Sequence, residues 1–303
     1  MNENILITGA NIGLGKETAH QLALRNETKK VILFCRNQAK AEGAKKDLEE
    51  QTGKKIFEII IGDVTDANSV RKAVDKIKEP INAGGMVGKT AAKITTSGMN
   101  ELAATNILGH VILVEELIKH DKLKKAVLSV SAEAVPGVKM LGMKPVAMNT
   151  SSVDEFAAVL DGSYFGNKFD VTQAYGYVKY AITMWTLSMA RKYPDLKFIV
   201  MSPGNTKGTD VANNLPPAMQ FMLKYFMMPV VFPLIGGMVH TLEVGAKRFV
   251  DGISDERYKS GVFYASKEGK LSGKVVDQST FYPDLKNTLF QDNASEAIHR
   301  FIK

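Results

Sequence analysis

Along the first two-thirds of the chain, short apolar runs alternate with longer stretches whose apolar residues recur every three or four positions. The runs Ile5 to Thr8, Val31 to Cys35, Ile56 to Ile61, Ala126 to Ser131, Phe198 to Ser202 and Val262 to Ala265 predict strands. The stretches Glu17 to Leu24, Ala39 to Glu50, Met99 to Lys119 and Ala174 to Lys192 carry helical spacing. Strands that alternate with helices build a mostly parallel, doubly wound sheet with helices on both faces. No internal repeat, low-complexity tract or linker interrupts the pattern, so a single α/β domain spanning residues 1–303 is expected.

One step of the pattern is tight. The short stretch between Asp63 and Asn82 must hold a helix (Val70, Ala73, Val74, Ile77) and then a fourth strand. Pro80 removes a ladder donor where that strand should begin. A stunted or distorted fourth strand is predicted.

The first strand meets the first helix through Thr8-Gly9-Ala10-Asn11-Ile12-Gly13-Leu14-Gly15. Glycines let backbone approach a phosphate, and a helix N-terminus offers free N–H groups and a partial positive charge. Strand, glycine-rich turn and helix in this order make a pyrophosphate site of the Rossmann type. The second run ends at Phe34-Cys35-Arg36-Asn37, where that fold reaches the adenosine ribose. An acid there would bind the ribose hydroxyls of NAD, whereas an arginine accommodates the 2′-phosphate of NADP. Arg36, one helix and one strand past Gly15, points to NADP(H). Cys35 reads as a core or pocket-wall residue. Asp63, before Val64, could meet the adenine or cap the next helix, and the sequence does not separate the two.

Later stretches add candidate chemistry. Asn106 is an amide in a mostly apolar helix, which predicts a polar network or a kink. Ser129 and Ser131 leave the fifth strand at the edge where parallel sheets bind ligands. Tyr175 and Lys179 are i,i+4 and share a helix face. An ammonium beside a phenol favours the phenolate, so a lowered Tyr175 pKa suited to general acid/base work is predicted. After the sixth strand, Ser202-Pro203-Gly204-Asn205-Thr206 is a turn rich in donors. Residues at about 210–240 then place Met219, Met222, Met227, Met228 and Met238 among aromatics, broken by Pro216, Pro217, Pro229 and Pro233. That segment predicts an adaptable lid over a hydrophobic substrate, ahead of core packing and of a membrane-surface patch.

The formal charge is +7, from 39 basic and 32 acidic residues. Lys and Arg are scattered among acids rather than gathered in a stripe with aromatics, which speaks against a nucleic-acid partner and suits attraction of an anionic cofactor. The single cysteine excludes an internal disulfide and a cysteine-based zinc site, and no metal is expected. The sequence starts almost directly in a strand, leaving no room for a signal peptide, and no unbroken apolar run is long enough to span a bilayer, so a cytoplasmic protein is expected.

Taken in order, Thr8 to Gly15, Asp63, Asn82-Ala83-Gly84, Asn106, Tyr175 with Lys179, and Pro203-Gly204 resemble the short-chain dehydrogenase/reductase family over most of the chain. The long gap from Ser131 to Tyr175 and the phrase Val31 to Asn37 are similar to its retinol-dehydrogenase and protochlorophyllide-reductase-like branch. The resemblance implies an NADP-dependent oxidoreductase that transfers a hydride between nicotinamide and a carbonyl/alcohol group of a hydrophobic small molecule. It implies Tyr175 as proton donor, Lys179 as holder of the ribose hydroxyls and Asn106 as anchor of a relay water. Cofactor contacts implied in the same way come from Gly9, Asn11, Ile12, Gly13, Leu14, Gly15, Arg36, Asp63, Val64, Asn82, Ala83, Gly84, Pro203, Gly204 and Thr206, together with Tyr175 and Lys179. Assembly into a homo-oligomer is left open.

Two departures stand out. Ala132 occupies the position of the family's catalytic serine, and Ile81 replaces the first asparagine of its usual pair. Ser131 serves after a one-residue shift, which is the favoured reading, or another group polarises the carbonyl, or activity is impaired. In the last case the chain is an NADP(H)-binding sensor or scaffold of the same fold.

Overall fold

The computed structural model describes residues 3–84, 94–138, 143–166, 170–207, 221, 225–226, 230–231 and 238–302. The lid expected at about 210–240 falls almost wholly outside them, including Met219, Met222, Met227 and Met228. Its described members Phe221, Tyr225, Phe226 and Val230 are exposed, and Met238 is buried.

The strands are β1 (Glu3–Thr8), β2 (Thr28–Cys35), β3 (Phe57–Ile61), β4 (Ile81–Gly84), β5 (Leu123–Val130), β6 (Lys197–Met201), β7 (Val262–Ser266) and β8 (Val275–Asp277). They form one sheet in the order β3-β2-β1-β4-β5-β6-β7-β8, parallel except for the final β7–β8 pair. The helices are α1 (Gly13–Leu24), α2 (Gln38–Thr52), α3 (Ala67–Asp75), α4 (pieces Glu101–Ala103 and Gly109–Lys119 around a π-helical turn), α5 (Val153–Asp161), α6 (Val171–Lys192), α7 (Leu242–Ser254) and α8 (Thr288–His299). Side chains of a strand alternate between faces, and here both faces are covered. Ile5, Ile7, Val31 and Leu33 pack with Ala19 and Leu22 of α1 and Leu48 of α2. Leu6, Ile32 and Phe34 join the opposite core with α3, α4 and α6. Strand order reverses between β1 and β4, which opens the crevice at the C-terminal strand ends where such sheets bind ligands.

The fourth strand is short and irregular, as its tight crossover predicts. It has four residues, and the register against β5 shifts between Ile81 and Ala83, leaving Lys124, Lys125 and Ala126 opposite Asn82 alone. The Asn82 side chain repairs the ladder: Oδ1 accepts from the N–H of Ala126 at 2.9 Å. Pro80 stands just before the strand, and Ile81 opens the pairing through its N–H to Lys122 O at 2.8 Å.

The long helix expected from Met99 to Lys119 is broken around its amide. Asn100 caps the first piece through Ala103 N–H, and Ala104–Leu108 winds as the π-helical turn. Thr105 Oγ1 and Asn106 Nδ2 bond back to the carbonyls of Glu101 and Leu102, at 2.5 and 2.8 Å, where the helix widens. Where a polar network or a kink is expected, the helix widens into this turn.

Among the described residues no helix is long and apolar enough to cross a membrane. Among them, too, no cluster of three His, Cys, Asp or Glu could hold a metal ion.

Candidate active site

The glycine turn is built for close approach. Gly9 and Gly13 adopt φ of 67° and 56°, a region open to glycine at no steric cost. A Cβ on Gly15 would lie 2.4 Å from Gly9 O, so only hydrogen lets α1 rest on the turn. Ile12 precedes α1 with no side-chain cap, no acid sits in the first turn, and Ile12 is exposed. The helix therefore presents its first N–H groups and its positive end to the crevice. Cys35 lies buried beneath, with the N–H groups of Ala10 and Asn11 on its sulfur, and burial pushes its thiol up to about 11.

Arg36 emerges from β2 largely exposed, 3.7 Å from the Asp63 carboxylate. Its neighbour Asn37 caps α2 through Lys40 N–H. Of the two roles open to Asp63, the helix cap falls to Asp66, while Asp63 Oδ1 holds the N–H and hydroxyl of Thr65 and Oδ2 faces Arg36. A Cβ on Gly109 would come within 2.4 Å of the Val64 backbone, so α4 packs directly under the Asp63–Val64 loop. Ala83 and Gly84 end β4 beside β1. Asn82 is 1% exposed and committed to the sheet, which makes it a support of this edge rather than part of its surface.

Tyr175 and Lys179 stack on one face of α6, with the Lys179 Nζ 5.7 Å from the centroid of the phenol ring. Lys179 is almost fully buried and donates to Val130 O at 2.9 Å. Burial lowers its pKa from 10.5 to about 7. The Tyr175 pKa moves opposite to expectation: burial raises it, and the Glu133 carboxylate raises it further. The expectation assumed a full ammonium charge on the lysine, and desolvation removes much of that charge near neutrality. Between pH 7 and 10.5 the unfolded chain binds a proton at Lys179 that the folded chain releases, so stability rises with pH across that window. Lys179→Met should thus be stabilised relative to wild type most at and below pH 7, with the gap shrinking towards pH 9 or 10. Paired thermal melts across this range check it, and a gap that fails to narrow contradicts it.

Between α4 and α6 lies a cavity of about 20 Å³ lined by Asn106, His110, Ser129, Val130 and Lys179 among others. That is room for one water. Among the described residues Asn106 Oδ1 is buried without a hydrogen-bond partner.

The serine side chains turn into the core. Thr183 Oγ1 is 2.8 Å from Ser131 Oγ and 2.7 Å from Lys179 O. Thr183 is the donor in both contacts, its one hydroxyl proton shared between the serine oxygen and the carbonyl, and Ser131 Oγ accepts. Ser129 meets Thr186 in the same way, with Ile182 O as the acceptor. Thr183 is eight residues beyond Tyr175, about 12 Å along the helix. Ser131 is therefore placed behind Lys179 rather than beside the phenol. Just past β5, Ala132 is partly exposed between buried Ser131 and Glu133, and Gly176 packs close to Ala134.

The turn after β6 is held from several sides. Gly204 takes φ of 75°, Asn205 N–H donates to Leu271 O at 2.7 Å, and Thr206 pairs with His240. His240 Nε2 lies 2.7 Å from Pro203 O. Sequence reasoning missed His240, Glu133 and Arg248; their partners are distant in the chain, so no local pattern marks them.

The short chain dehydrogenase family pattern matches residues 3–140. Dehydrogenase/reductase SDR family member 12 of Bos taurus is 30% identical over 223 residues, covering 70% of this chain and 63% of that protein. The chain thus spans less than two-thirds of that relative. The chloroplastic protochlorophyllide reductase of Pisum sativum is 28% identical over 302 residues, covering 90% of this chain and 74% of that one. The NADPH-bound carbonyl reductase from chicken fatty liver shares the fold, with a TM-score of 0.57 at 18% identity, over 90% of this chain and 99% of its own. Residues 3–140 thus carry the short chain dehydrogenase match, and the strand order and the glycine turn agree with it.

Proposed function

We propose that the protein is an NADP(H)-dependent oxidoreductase that interconverts a carbonyl and an alcohol on a hydrophobic small molecule. The observation that carries this reading is the pairing of Tyr175 and Lys179 on α6 at the sheet edge that also bears the Gly9–Gly15 turn. Bound there, the cofactor supplies or accepts the hydride. Gly9 to Gly15 hold the pyrophosphate through N–H groups, while Val64, Ala83 and Gly84 line the crevice. Tyr175 gives its proton to the carbonyl oxygen, and the raised pKa keeps that proton in place until it is needed. Lys179 orients the ribose hydroxyls, and the cavity beside Asn106 admits a water to return the proton. The relatives named above are a dehydrogenase/reductase family member and a reductase, and the exposed Phe221, Tyr225 and Phe226 suit an apolar substrate.

Preference for NADP(H) rests on Arg36, whose exposed guanidinium ends β2 with no acid at Cys35 or Asn37. Arg36→Asp should weaken NADPH binding by about ten- to a hundredfold, the worth of a charge-assisted hydrogen bond, and favour NADH. Parallel titrations with the two cofactors decide it, and an unchanged NADPH affinity removes Arg36 from the 2′-phosphate.

The second reading, a cofactor-binding protein with impaired chemistry, is favoured by one observation: Ala132 carries no hydroxyl and the Ser131 hydroxyl is buried in the core against Thr183. We expect Ser131→Ala to cost about 1–3 kcal/mol of stability, through the buried hydrogen bond it breaks, more than it costs turnover. Ala132→Ser should raise turnover by supplying a donor near Tyr175. Melting curves with carbonyl-reduction rates for both variants check this; a rate collapse in Ser131→Ala at unchanged stability reverses the assignment.

A further inference from the structure

Behind the Pro203–Thr206 turn lies a buried ion pair that the proposed chemistry does not use. Glu133 and Arg248 come from the turn that follows β5 and the middle of α7, and both are buried. Glu133 Oε1 accepts from Arg248 Nη1 at 3.4 Å, from Ser266 Oγ at 2.9 Å and from Ser266 N–H at 3.2 Å. Arg248 also donates to Ser202 O at 3.2 Å, Ser266 Oγ at 3.1 Å and Gly273 O at 3.0 Å. Desolvating two charges costs about what their attraction returns, so such a pair adds little stability over apolar packing. What it does supply is a fixed acceptor in a fixed place.

Ser202 uses that acceptor. Its hydroxyl donates to Glu133 Oε2 and itself accepts from Gly204 N–H at 3.1 Å, so one side chain links the ion pair to the turn. Ser202 is fully buried. Gly204 is pressed onto the same group: a Cβ there would lie 2.8 Å from Arg248 Nη1 and 2.7 Å from Leu271 O. His240 braces the other side through Pro203 O, and because a carbonyl only accepts, its Nε2 carries the proton. Burial and the Arg248 charge hold the His240 pKa down, keeping the ring neutral.

We propose that Ser202, anchored on the Glu133–Arg248 pair, is a positioning residue that sets where the Pro203–Thr206 turn meets the nicotinamide cofactor. The inference rests on the NADP(H) reading, and the chemical step belongs to other residues. The test is Ser202→Ala in the full chain, read three ways: NADPH affinity by fluorescence titration, KM against kcat, and amide hydrogen exchange of a peptide covering residues 202–206. The Kd and the KM for NADPH should rise about five- to tenfold, since a hydrogen bond to a charged group is lost while its neighbours remain. Turnover should stay within about twofold, and exchange should quicken in that peptide but not in β1 or β5. The near-isosteric Ser202→Cys, a weaker donor, should fall between the two and covers a failure of the alanine variant to fold. Unchanged affinity with unchanged exchange, or a loss confined to kcat, overturns the proposal. Should wild type fail to bind NADPH at all, the cofactor reading fails, while the exchange comparison still decides whether Ser202 positions the turn.

Discussion

Tyr175→Phe is expected to lower turnover by about 10²–10⁴-fold while NADPH affinity stays within a few-fold, the range for loss of a general acid. Only the hydroxyl is removed; the ring still packs beside Lys179. Ala132 offers no second hydroxyl at this point, and the Ser131 hydroxyl is buried against Thr183. The phenol is thus the proton source the geometry leaves for the carbonyl oxygen, and burial keeps it protonated through the neutral range. Single-turnover rates with saturating NADPH, set beside a binding titration, measure both halves of the expectation. A loss below tenfold would contradict the role of Tyr175.

Gly15→Ala is expected to lower NADPH affinity by about a hundredfold and stability by about 1–3 kcal/mol, the usual cost of overpacking. The added Cβ meets Gly9 O at 2.4 Å and Gly9 C at 2.9 Å, and neither is a side chain that could swing away. Relief comes only by lifting α1 from the turn, which spoils the alignment of N–H groups around the pyrophosphate. Gly43→Ala is the matched control. That glycine is exposed in α2 with nothing within 4 Å of an added Cβ, so it should gain about 0.5–1 kcal/mol from helix propensity and leave cofactor binding untouched. Equal effects at the two positions would mean that the turn has no special role.

The alternating apolar pattern made the parallel sheet and its glycine turn legible, because both faces are buried and each crossover needs its own helix. Even the defect in β4 was written in the sequence, through the short crossover after Asp63 and through Pro80. The repair by Asn82 was not, since it depends on which β5 residue is left unpaired. β8 is three residues long at an antiparallel edge, too short for a periodic signal. At the site, i,i+4 spacing found Tyr175 and Lys179. It misjudged their electrostatics, because burial depth is a tertiary property and here it outweighs the pair's mutual charge. Ser131 and Ala132 show a different limit. Adjacent residues on an extended chain face opposite sides, so a one-residue uncertainty in register decides whether a hydroxyl reaches the crevice or the core. Glu133, Arg248 and His240 were invisible for a third reason: each matters through partners brought together only by the completed fold.

Hydride transfer itself is the most direct test of the account. NADPH deuterated at one face of nicotinamide C4, then at the other, is incubated with wild-type protein and a panel of apolar aldehydes and ketones, and the alcohols are analysed by mass spectrometry. The account predicts deuterium on the carbinol carbon from one face only, with Tyr175→Phe slowed by about a hundredfold or more. Tight NADPH binding without deuterium in any product, or equal transfer by Tyr175→Phe, would contradict it.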